Sequence, residues 1–73
     1  MDAGICVRVV TANDIQGVHA TSHWIVATAD PRQAVQTVRT HVSARSQVRA
    51  TNHHVSLETV TRIGLAPGQA HVL

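Results

Sequence analysis

The sequence predicts an α+β fold: a small antiparallel sheet of three or four strands in β-β-α-β order, with one main helix on one face and a short C-terminal helix as the preferred option. Three observations predict it. Residues 24–42, WIVATADPRQAVQTVRTHV, read as a strand that stops at a cap and turns into a helix. Residues 4–11, GICVRVVT, alternate as a strand does. Ser56, Gly64 and Pro67 are spaced as the start, end and aftermath of a second, shorter helix. Seventy-three residues make one domain at most, taken as 1–73.

The first strand is expected over residues 4–11. Ile5, Val7 and Val9 point one way, and Cys6, Arg8 and Val10 the other, so Arg8 marks a second face that is at least partly solvated. Residues 12–21 hold the turn-formers Asn13-Asp14 and Gly17, and read as a connection too long for a two-residue hairpin. The second strand is expected from about His23 to Ala29, dense in β-branched and aromatic side chains around Trp24, Ile25 and Val26.

The main helix follows at once. Asp30 is placed to accept from free N–H groups of the first turn, and Pro31 occupies N1, where its missing donor costs nothing. Gln33, three residues past the cap, suits a capping-box exchange. Ala34, Val35, Val38 and Val42 form one apolar face, which carries the helix to about Ala44.

The C-terminal third allows two readings. One makes residues 54–63 a long strand. The other, preferred, puts a third strand at about 47–53 and a short helix after Ser56 as N-cap, with Glu58 in the first turn. Gly64 would then be C′ and Leu65 C″, folding back on Val60, with Pro67 past the end. A right-handed crossover through the main helix lets the third strand lie beside the first. Val72-Leu73 would dock as a last short strand or an apolar clamp.

Composition sets the scale of the core. The 12 Val, 4 Ile and 3 Leu are about a quarter of the chain, above the roughly 20% at which disorder becomes the default. The chain should fold, but around small side chains, with Trp24 the only aromatic. Cys6 is alone, so no intrachain disulfide can form. Self-association is then the cheap way to bury more surface, and a homo-oligomer or a protein partner on an incompletely covered second sheet face is the leading expectation.

The start carries Asp2 in place of a basic region, no stretch approaches the roughly 20 apolar residues of a membrane span, and a cytoplasmic protein with no membrane partner is expected. All six basic residues are Arg, and Lys, Phe and Tyr are absent, which fits a bacterial protein from a GC-rich genome better than selection for nucleic acid.

Function is not written in any motif. Neither a Gly-rich phosphate loop nor a nucleophile elbow can be traced, and the four acids form no recognisable pair, so an enzyme is not expected. Arg32, Arg39, Arg45 and Arg49 concentrate in one stretch without an acid, and Arg39, Arg45 and Arg49 are the candidates for nucleic-acid or anion binding, although aromatic platforms for single strands are lacking. Trp24 is either the central core filler or an interaction anchor. The six histidines suit surface and turn positions. Were one to bind a metal, His53 or His54 would do so with a third ligand supplied by the fold. No cofactor is expected.

Overall fold

A computed structural model describes residues 2–13 and 18–73. Its elements run β1 (Asp2–Asn13), β2 (Val18–Val26), α1 (Pro31–Arg39), β3 (Ser46–Ser56), α2 (Leu57–Ile63) and β4 (Ala70–Val72). The four strands form one sheet in the order β3-β1-β2-β4, with every neighbouring pair antiparallel. The class is therefore α+β, with a small antiparallel sheet and two helices.

The strands run further than periodicity indicated. Pairing of β1 with β2 continues to Asn13↔Val18, through much of the segment expected to be loop. Cross-strand partners supply the hydrogen bonds there, and such partners are invisible in a local pattern. Asp14 and Gly17, read as turn-formers, lie outside the described residues. At the other end β2 stops at Val26, not near Ala29. Ala27 instead bonds to the C-terminal segment, donating to the Gln69 carbonyl at 2.9 Å and accepting from the Gly68 amide at 2.9 Å.

The cap of α1 forms as its residues dictate: the Arg32 amide donates to Asp30 Oδ1 at 2.9 Å, and Pro31 opens the first turn. The capping-box exchange by Gln33 is not what forms. Thr28 Oγ1 accepts from the Asp30 amide at 3.2 Å and donates to Gln33 Oε1 at 3.1 Å, so a hydroxyl stands between the two. The helix also ends at Arg39, short of Ala44. Thr40 donates both its amide, at 3.3 Å, and its hydroxyl, at 2.7 Å, to the Thr37 carbonyl, and His41 N–H donates to Val38 O at 2.9 Å. These i to i−3 bonds tighten the last turn and stop it. Val42 still packs on the core from beyond the helix.

In the C-terminal third the short helix forms and the long strand over 54–63 does not. Ser56 Oγ accepts from the Thr59 amide at 3.3 Å. Gly64 takes φ +85°, Leu65 N–H donates to Val60 O at 3.2 Å, and Gly64 N–H donates to Thr61 O at 3.0 Å. That is the Schellman pattern, which needs a residue free to adopt the left-handed region. β4 pairs with β2 through Trp24↔Val72, Ile25↔His71 and Val26↔Ala70.

The two helices lie on opposite sides of the sheet. Ile5, Val7, Val9, Val26 and Val48 are buried with Ala34 and Val38 of α1 in one cluster. Ile25, Ala27 and Val55 are buried with Val60 of α2 in another, joined by Cys6 and Leu65. Neighbours along a strand project to opposite faces, so Ile5 and Val7 lie under α1 while Cys6, between them, lies on the α2 side. Gly4 lets α2 approach. A Cβ there would stand 3.0 Å from Val60 Cγ2 and 3.1 Å from the Val26 carbonyl oxygen.

Candidate functional site

Two charged surfaces flank edge strand β3, one on each side of the sheet. On the α1 side, Arg32, Val35, Gln36 and Arg39 recur at the spacing that puts them on one flank of the helix. With Pro31 and Ala50 of β3 they line a groove of about 420 Å³. Its floor is apolar, because Val35 and Ala50 both pack against the core. Its rim is cationic: Arg32 and Arg39 are exposed and seven residues apart, about 10 Å along the helix axis. α1 itself contains no acid, and the nearby Asp30 carboxylate is turned to the helix amide of Arg32.

On the other side, register builds a row. Arg49 stands opposite Arg8, and Arg8 opposite His23, across β3, β1 and β2. All three are exposed. Like charges directly opposite each other in a sheet repel, and no carboxylate among the described residues pairs with Arg8 or Arg49. Among the described residues the one ion pair, Arg62 to Glu58 at 3.2 Å, lies on the solvent side of α2. The second face is therefore not bare apolar sheet. α2 covers the end with Gly4, Cys6 and Ile25, and the open remainder presents Arg8, Arg49, His23, Thr21 and Gln47 around half-buried Val10.

The expected arginine trio is divided by the sheet. Arg39 lies on the α1 side and lines the groove, whereas Arg49 projects from between Val48 and Ala50 to the opposite face. Arg45 sits in the turn between α1 and β3. Sequence reasoning places Arg32 in the basic stretch without making it a candidate, and it misses Gln36 and Ala50 as groove residues and Arg8 and His23 as partners of Arg49. The spacing of Arg32 and Arg39 held a signal for the first group. The row has none, because it depends on strand register.

Trp24 lies on the α1 face, opposite Val7, half-buried against the core. Its Nε1 donates to Ser22 Oγ at 3.1 Å, and its ring stacks on His41 with centroids 5.7 Å apart. It therefore sits on the covered side of the sheet and not on the second face. His53 and His54 are exposed; the His53 amide donates to Thr51 Oγ1 at 3.1 Å. Among the described residues no group of three or more His, Cys, Asp or Glu comes together to hold a metal ion; the His19 side chain lies outside them. Burial pushes the Cys6 thiol above its ordinary pKa, the reverse of what an attacking thiolate needs. No helix among the described residues is long and apolar enough to cross a membrane.

Comparison with protein-family models, curated proteins and solved structures returns no match. Nothing in these comparisons or in the described side chains indicates an enzyme activity.

Proposed function

We propose that this chain is a non-enzymatic protein-interaction module whose partner presents an acidic surface to the groove between α1 and β3. The observation that carries the reading is the groove itself: an apolar floor of Val35 and Ala50 between two exposed arginines, on a helix without an acid. Apolar contact supplies affinity there, and the arginines supply orientation, on-rate and selection for carboxylates. Self-association has less support at this surface. A second copy would bring arginine to arginine, in a chain with six Arg against four acids.

The test is a calorimetric titration of the chain with a Glu-rich peptide and with its Gln counterpart, at low and at physiological salt. Binding of the acidic peptide alone, weakened by salt, is the expected outcome. Equal binding of both peptides, or none at millimolar concentration, refutes the reading.

A nucleic-acid backbone is the second reading, favoured by the Arg49–Arg8–His23 row on the open face. It expects duplex DNA to bind with a steep salt dependence that Arg8→Ala and Arg49→Ala reduce, while Arg32→Ala leaves it unchanged.

A further inference from the structure

Strand β3 lies at the edge of the sheet, and among the described residues it pairs with β1 alone. Its straight portion is short. The partner of Ile5 is His54 but that of Val7 is Ala50, so residues 51–53 bulge away opposite Cys6. Thr51 Oγ1 fixes the bulge by donating to the Cys6 carbonyl at 2.9 Å. At the other end the Ser46 amide is taken by Ser43 O at 3.0 Å. Between them, Gln47–Ala50 offer an outer backbone edge with no strand partner among the described residues, beside the groove under α1.

Resting on the reading above, we infer that the partner enters as an extended acidic segment that adds as a fifth strand along Gln47–Ala50. A strand laid on this edge sends successive side chains to opposite faces of the sheet. One set passes over Val35 and Ala50 toward Arg32 and Arg39; the alternate set falls beside Arg49 on the other face, with Arg8 one strand further in. Arginine therefore brackets the edge on both sides, and acidic residues in either register of the incoming strand meet a cation.

Two other occupants fit less well. A second copy of β3 would pair the same edge but carry its own Arg49 and the facing Arg32 and Arg39 against their equivalents, a like-charge arrangement of the kind that holds edges apart. A phosphate backbone offers acceptors only, so it leaves the edge carbonyls without donors, and it gains nothing from the apolar floor.

The experiment uses the full chain, 15N-labelled, and four capped octapeptides: alternating Thr-Glu, its Thr-Gln counterpart, and Thr-Glu N-methylated at every second residue in each of the two registers. N-methylation removes backbone donors along one edge and leaves charge unchanged. Addition of Thr-Glu is expected to shift the Gln47–Ala50 amides and slow exchange of the alternate ones that face outward, and one N-methylated register is expected to bind about tenfold more weakly or worse. Arg32→Ala and Arg39→Ala should each weaken binding roughly two- to fivefold, with Arg62→Ala unchanged. Equal binding of the parent and both N-methylated peptides overturns strand addition while leaving an acidic partner in place. Failure of every acidic peptide at millimolar concentration overturns both. Concentration-dependent shifts at Gln47–Ala50 without peptide, with a dimer in sedimentation, name a second copy as occupant and overturn the inference.

Discussion

Arg8 and Arg49 stand directly opposite each other on neighbouring strands, exposed and without a carboxylate partner among the described residues. Such a pair costs the free protein stability that neutralising one member restores. Arg8→Gln is expected to raise the free energy of unfolding by about 0.2–1 kcal/mol, with the gain shrinking in high salt as screening takes over. Urea titrations at two ionic strengths measure this, and a loss of stability at low salt would show that the pair does not repel. Cys6 gives a pH-dependent counterpart. Burial raises its thiol pKa, so folding favours the protonated form: that contribution is fully present below the ordinary thiol range and lost as pH rises through the raised value. Alkylation by iodoacetamide near neutral pH should be slower in the folded chain than in urea, because less thiolate is present. Equal rates would place the thiol in open water. In the sequence Arg8 already marked a solvated face. Its opposition to Arg49 could not be read there, since forty residues and a helix separate the two.

At the scale of elements, what was legible is what is local. Asp30-Pro31 and the Ser56 to Gly64 spacing specify helix ends through bonds that span two to five residues, and those ends form. Strand ends were misplaced because they are set by partners far along the chain: β1 reaches Asn13 only because β2 pairs with it. The side of the sheet taken by α2 was equally hidden. It depends on Gly4, expected as the first residue of a strand, whose missing side chain admits Val60. Gly4→Val should push α2 off the sheet and cost about 1–3 kcal/mol, the usual range for overpacking. The amides of 57–63 should lose hydrogen-exchange protection before those of α1. Unchanged stability would mean that α2 does not rest on this position.

For the molecule as a whole, α2 changes which surface is available. Periodicity indicates a sheet covered on one face by the main helix, with a second face, partly solvated at Arg8, left open for a partner. The structure closes one end of the second face with Val60, Ile63 and Leu65, and the described side chains beyond it, Arg8, Arg49, His23, Thr21 and Gln47 around half-buried Val10, are mostly polar or cationic. The groove at edge strand β3 then becomes the surface that combines apolar floor, charge and an open strand. The candidate arginines are half legible: Arg39 and Arg49 stand out in the sequence, but the sheet that sends them to opposite sides, and sets Arg32 and Arg8 beside them, is a property of the assembled fold. The most direct test is a charge swap in the groove. The double variant Arg32→Glu, Arg39→Glu, titrated by calorimetry with alternating Thr-Glu and Thr-Lys peptides, is expected to bind the acidic peptide far more weakly and the basic one more tightly than the unaltered chain does; undiminished binding of the acidic peptide by a folded double variant would contradict the account.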